Sequence, residues 1–239
     1  MTFDIVMITA GSRPRLLEQS LRSLRENASN WNQHSLTVVL DHYTTDGTCL
    51  TGRIIPDDRL IINTQCQGAS RSRNIGASST LKHLRKDAVM FLDDDVYCCD
   101  RWDTRIGGPL NNSKKVRPTS PAISGHAHPY NHTIIGDMSH YGYQLTTVLS
   151  TVNIVCRWFM WDDVGFFAEP GGPGGSEDVD WCKRATNYSY DLAVTVPQCI
   201  IHTGIGSTSG KKLIGWEHVM ENNRKLEKFY GIEGRVLYE

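Results

Sequence analysis

Paired cysteines, a long apolar run and a surplus of charge of either sign are all missing from this sequence. The seven cysteines are odd in number and scattered, without the close pairing of zinc ligands. Cys98 and Cys99 are adjacent, a poor geometry for a bridge between them. Reduced thiols in a cytoplasmic protein are the simplest account. No apolar stretch approaches the roughly 20 residues that cross a bilayer. The first residues, MTFDIVMITAG, set an acid before a short apolar run, the reverse of a secretory leader. These features predict a soluble protein, peripheral to a membrane at most. With 25 Lys and Arg against 26 Asp and Glu, nothing in the net charge of -1 attracts polyanions. Basic residues do cluster at Lys114, Lys115 and Arg117, and at Lys211 and Lys212; solvated surface is the favoured reading, and contact with a polyanion is the other.

What is present is ordinary globular material. The chain has 239 residues, 39% hydrophobic and 21% charged, enough to bury a core and too apolar for a disordered chain. A buried strand is expected over 3–9, ending in the small residues Thr9, Ala10, Gly11 and Ser12. Arg13 and Pro14 follow. Pro14 suits a helix's first turn, and Leu16, Leu17, Leu21 and Leu24 recur at helical spacing to residue 27. A second apolar run over 36–40 closes on Asp41, a polar turn occupies 44–48, and a short strand is expected over 60–62. A helix is expected over 68–84. Then Ala88, Val89, Met90, Phe91 and Leu92, apolar enough for a strand buried on both faces, run into Asp93, Asp94 and Asp95. This order of strands and helices implies an α/β fold, mostly parallel, with crossover helices of the nucleotide-binding type.

Beyond residue 106 the pattern loosens. We expect a short helix over 97–106, loops or short strands over 107–130, and strands within 141–157. A segment rich in Gly and Pro spans 169–175. Ser176 reads as the cap of a helix running to 185, with Glu177, Asp178 and Asp180 in its first turn. Strands follow over 192–196 and 199–201, the second ending at His202. A loop over 204–210 and an amphipathic helix over 213–229 complete the pattern. No repeat or linker interrupts it, which predicts a single unit.

Several strand ends carry chemistry. In open α/β sheets ligands bind beyond the carboxyl ends of the strands. Three acids placed there repel one another unless a cation or proton intervenes. Two readings of residues 93–95 stand side by side: a site for Mg2+ or Mn2+ and a diphosphate, or a solvated acidic turn. Asp93 and Asp95 would point the same way if the strand continued. Asp95 is then the stronger metal ligand, with Asp93 at a ribose or beside the metal. His202, also at a strand end, offers an imidazole to the same ion, or is structural. Thr9, Gly11, Arg13, Asp41 and Arg73 lie where a nucleotide would be held, and each has a structural alternative. Glu177 and Asp178, at a helix start after a glycine-rich loop, could meet an acceptor proton or simply complement the helix dipole.

The order of these pieces resembles the family 2 glycosyltransferases of the GT-A fold over about 4–202. The resemblance is carried by Ile8-Thr9-Ala10-Gly11-Ser12-Arg13-Pro14, by Asp41 with Thr45-Asp46-Gly47-Thr48, and by Gly68 through Arg73-Asn74-Ile75-Gly76. It continues with Phe91-Leu92-Asp93-Asp94-Asp95 at the DxD position, Val164-Gly165-Phe166-Phe167, and Ser176-Glu177-Asp178-Val179-Asp180-Trp181 with Arg184-Ala185. It implies inverting transfer from a nucleotide-sugar, usually a UDP-sugar, with Mn2+ or Mg2+. Asp41 and Arg73 would hold the nucleoside. Asp93, Asp94 and Asp95 would meet the diphosphate and metal, with His202 as a further metal ligand. Asp178 would deprotonate the acceptor and Glu177 orient acceptor or donor sugar. The nucleotide-sugar half would then span about 1–106, the acceptor side about 107–210, and a helix and tail 211–239. His42 stands where the family commonly has a second acid, and Ser72 where it has alanine. The acceptor stays open among a saccharide, a lipid-linked glycan, a small molecule and a hydroxylated base in DNA. A nucleotidyltransferase is the alternative of another class, although only Gly11, Arg13 and Arg15 are available for its phosphate loop. An inactive sugar-nucleotide binder is the other.

Overall fold

A sheet built on the apolar runs organises the protein. The computed structural model describes residues 1–41, 58–116, 121–126, 134–169 and 177–203. The first strands are β1 (Phe3–Thr9), β2 (Ser35–Leu40), β3 (Arg59–Ile62) and β4 (Ala88–Asp93). They lie parallel in the order β3-β2-β1-β4. The sheet continues past β4 through β9 (Asn153–Arg157), β6 (Ala122–Ser124), β10 (Leu192–Thr195), β8 (Tyr143–Thr146) and β7 (Ile134–Met138). β9 runs antiparallel to both β4 and β6, so hydrogen bonding passes without a break from the first half of the chain to the second. A separate ribbon pairs β5 (Val96–Cys98) with β11 (Ile200–His202).

Alternation along β1 shows how both faces are covered. Phe3, Ile5 and Met7 join Leu17, Leu21 and Leu24 of α1 (Pro14–Glu26) and Trp102 and Ile106 of α3 (Trp102–Val116) in one core. Val6 faces the other way. It packs with Ala77 of α2 (Gly68–Ser78), Trp161 of α4 (Trp158–Val164) and Trp181 of α5 (Glu177–Asn187). Gly76 lets α2 approach β1 closely, for a Cβ there would stand 2.3 Å from Val6 Cγ1. Strands buried on both faces are apolar at successive positions, as β4 is from Ala88 to Leu92.

Three expectations need correction. The helix expected over 68–84 ends at Ser78, and Lys82–Leu84 forms a separate 3-10 turn. Ser79 Oγ donates to the Gly76 carbonyl at 2.7 Å, and Leu81 is extended, which breaks the ladder. Residues 97–106 are not one short helix. β5 comes first because it finds β11, a partner about a hundred residues away that no local pattern reveals. α3 then starts at Trp102 and runs through Pro109 to Val116, across a stretch expected to be loops or strands. α4 was not expected at all, since Trp158, Phe159, Met160 and Trp161 follow the apolar residues of β9 with only Arg157 between them. The turn at 44–48, His42, residues 170–176, and the expected loop and helix after 203 lie outside the described residues. So do the Lys114 and Lys115 side chains and Arg117, Lys211 and Lys212.

Candidate active site

The carboxyl ends of β1, β2 and β4 open on the same sheet edge, because Thr9 pairs with Leu40 and Ile8 with Asp93. β4 stops at Asp93. Asp94 and Asp95 form a turn instead of prolonging the strand, so the simple alternation expected for residues 93–95 does not hold. Ser20 of α1 fixes this turn from below. Its Oγ lies 2.7 Å from the carbonyls of both Asp94 and Val96 and accepts the Val96 N–H at 3.0 Å. From the other side, the Thr203 N–H and hydroxyl both donate to the Asp95 carbonyl, at 3.0 and 2.9 Å.

Each aspartate then meets a different partner. Asp94 is buried, accepting Thr9 Oγ1 at 2.5 Å and Arg13 Nη2 at 2.7 Å. Arg13 spans the turn by giving Nη1 to Asp95 at 3.0 Å. The other Asp95 oxygen lies 3.2 Å from His202 Nε2, brought there by the β5–β11 ribbon. Asp93 accepts Arg73 Nη2 at 2.6 Å, while Arg73 Nη1 lies 3.2 Å from Glu177 at the start of α5. Arg73 also donates to the Thr151 carbonyl at 3.3 Å and is only 2% exposed. It therefore works beneath the site, joining strand β4 to helix α5. Gly11 takes a positive φ of 70° and donates its N–H to Thr9 Oγ1.

Asp41 belongs to an adjoining cluster. Its two oxygens accept the N–H groups of Gln67 and Gly68 at 2.8 Å each, and Asn63 Nδ2 at 3.1 Å. The strand-end acid thus satisfies the free amides at the beginning of α2. Asn63 ties it to Ser72 Oγ at 3.2 Å.

Negative charge exceeds positive here, since Asp93, Asp94, Asp95, Glu177 and Asp178 face the two guanidiniums and one imidazole. Burial, with Asp95 nearby, raises the Asp93 carboxyl above its usual range despite Arg73. Burial likewise pushes Asp94 up to about 6, against the pull of Arg13 and Thr9. For Asp95 burial acts in the same direction, but His202 and then Arg13 outweigh it and hold the carboxyl low. The hydrogen bond to Asp95 raises His202 in turn. Burial, and then the Glu177 charge, push Asp178 up to about 7. Its Oδ1 accepts the Val179 N–H at 2.9 Å within the helix.

The donor chemistry fits a hard divalent cation. Asp93 and Asp95 offer carboxylate oxygens and His202 an imidazole, and the local charge excess favours a cation. Among the described residues no group of three His, Cys, Asp or Glu side chains is placed to hold a metal ion by itself. An open site with few protein ligands is what a cation shared with substrate phosphates requires.

No known family model matches the sequence, and no curated protein matches it. Solved structures do. GalNAc-T7, crystallised with UDP, GalNAc and Mn2+, superposes with a TM-score of 0.63 at 11% identity over 84% of this chain. TarS from S. aureus gives 0.60 at 14% identity over 99% of it. Both are glycosyltransferases of one fold. The fold is GT-A. The chain spans less than half of either, 43% of the first and 44% of the second.

Within this GT-A sheet the structure brings together Thr9, Gly11, Arg13, Arg73, Asp93, Asp94, Asp95, Glu177 and His202. Asp178 feels Glu177 and Arg73, whereas Asp41 serves the start of α2. Sequence reasoning missed Ser20, Asn63, Thr151 and His126. Ser20 did leave a signal: it is a small polar residue on the face that carries Leu17, Leu21 and Leu24. Among the described residues the cysteines are free thiols, with no bridge. No described helix is long and apolar enough to cross a membrane.

Proposed function

We propose that this protein is a metal-dependent glycosyltransferase that moves a sugar, hexosyl or pentosyl, from a UDP-sugar to an acceptor hydroxyl with inversion. The observation that carries the reading is the approach of Asp95 to His202 at 3.2 Å, at the strand end of a GT-A sheet. The GalNAc-T7 complex with UDP and Mn2+ supports the choice of donor and ion. The free thiols agree with a reducing, cytoplasmic setting. The chain works as one unit, its residues to about 106 holding the donor and those beyond facing the acceptor.

Asp95 and His202 would hold Mn2+ or Mg2+, with Asp93 beside them. A divalent ion bound there offsets the charge that develops on the departing diphosphate. Thr9 holds Asp94, and Arg13 ties Asp94 to Asp95, so both buried carboxylates are fixed across the turn. Arg73 fixes Asp93 and Glu177 at a set spacing, and Glu177 orients the sugar or the acceptor. Asp178 takes the acceptor's proton, and attack from the face opposite the diphosphate inverts the anomeric carbon. Asp41 shapes the nucleoside end through the α2 amides that it holds.

The test is a panel of UDP-sugars with Mn2+ and simple acceptors, read by release of UDP and by the anomeric coupling of the product. Pyrophosphate release would identify a nucleotidyltransferase, and absence of both turnover and donor hydrolysis would leave only a binder. Asp95→Ala is expected to abolish Mn2+-dependent UDP binding in calorimetry. Wild-type affinity in that variant would refute the metal assignment.

A further inference from the structure

β6 leaves the sheet at Gly125, and His126 follows beside the proposed metal site. Three hydrogen bonds pin this exit. The Gly125 N–H donates to Asn153 Oδ1 at 2.7 Å, and its carbonyl accepts the N–H groups of Cys199 and Ile200 at 2.9 and 3.0 Å. The backbone next to His126 is therefore stitched to the strand that ends at His202. Only glycine allows this approach, since a Cβ would stand 2.6 Å from Ile200 Cγ1 and 2.9 Å from Cys199 Sγ. Ser124 Oγ then donates to the His126 carbonyl at 2.7 Å and accepts its N–H at 3.0 Å, fixing the backbone of the residue itself. The His126 ring, buried, meets the His202 ring edge-to-face at 5.8 Å between centroids and 76° between planes.

From this geometry we infer that His126 is a positioning residue for His202, its ring setting the rotation that directs Nε2 at Asp95. An imidazole turning about its χ2 torsion loses a defined donor direction unless something packs against its plane. Asp95 restrains one edge of His202, and His126 supplies a second, aromatic restraint. Residues that orient a metal ligand without touching the ion commonly change metal affinity as much as activity. The inference rests on the proposed metal role of Asp95 and His202.

The experiment measures Mn2+ affinity by electron paramagnetic resonance with UDP present, without sugar or acceptor. It compares the wild type with His126→Leu, His126→Phe and His202→Ala. His126→Leu, which keeps apolar bulk and loses the ring, is expected to bind Mn2+ about 10-fold more weakly. His126→Phe, which restores the edge-to-face contact, is expected to return affinity close to the wild-type value. Melting curves accompany each variant. Wild-type affinity in the leucine variant overturns the inference. So does a phenylalanine variant that folds yet binds as weakly as leucine, for then an imidazole nitrogen of His126 matters and not its ring packing. Unchanged affinity in His202→Ala, or no Mn2+ binding by the wild type, overturns the underlying metal reading as well and is distinguished by that control.

Discussion

Asp178→Asn is expected to retain donor affinity and to transfer sugar about 10²–10⁴-fold more slowly, the loss typical of a missing general base. Amide and carboxylate are nearly isosteric, and the Asn carbonyl can still accept the Val179 N–H that Asp178 now accepts. Only the capacity to take a proton disappears. Steady-state kinetics beside calorimetry with UDP separates the two effects, and turnover near the wild-type rate would move the base elsewhere. The wild-type rate is expected to rise with pH through about 7, where the Asp178 carboxyl loses its proton. Stability moves the other way. Folding raises this carboxyl from 3.8 to about 7, so the folded state holds the proton more tightly. Its contribution is therefore full at acid pH and is lost as pH climbs through that interval. Asp178→Asn removes this penalty, and its melting temperature at pH 8 is expected to equal or exceed that of the wild type. Lower activity with undiminished stability marks a residue kept for chemistry.

Arg73→Ala should do the opposite and unfold the protein far more readily. The guanidinium is buried between Asp93 and Glu177, whose side chains are 25% and 10% exposed. Removing it takes the guanidinium from both carboxylates at once. Loss of one partner from a buried ion pair typically costs roughly 3–5 kcal/mol. Urea denaturation gives the measurement, as a fall in the transition midpoint with the slope unchanged. Acid should partly restore the variant, because the Asp93 carboxyl is already raised and takes a proton readily once Arg73 is gone. Arg73→Lys is expected to be a poor replacement, since a single ammonium cannot reproduce the planar fork that reaches both acids and the Thr151 carbonyl. A wild-type midpoint in Arg73→Ala would show the ion pairs to be incidental.

What the sequence revealed follows from how local each signal is. β1, β2, β4 and α1 announce themselves because their apolar spacing is written in consecutive residues. Asp93, Asp95 and His202 were legible as strand-end residues, and the ribbon of β5 with β11 accounts for their meeting. The β5 strand of that ribbon had no local signature, and its absence from the pattern is why 97–106 looked like a helix. Arg73 was recognisable in a motif, yet its burial depends on Thr151 and Glu177, which arrive from distant parts of the chain. Asp41 shows the converse. A strand-end acid suits a ribose, but here its oxygens meet amides that exist only once α2 has begun. The inward turn of Asp94 likewise depends on Thr9 and Arg13, two strand-end residues that look equally ready for a ligand.

Gly76 sits one helical turn beyond Arg73 and touches nothing that reacts. A methyl there would collide with Val6 and crowd Val39, whose Cγ2 would be 3.1 Å away. The helix could admit it only by rising off the sheet, and the arginine, riding on the same rigid rod, would be drawn back from Asp93. The height of one helix above its floor is thus the adjusting screw for a charge pair at the far side of the molecule's working edge.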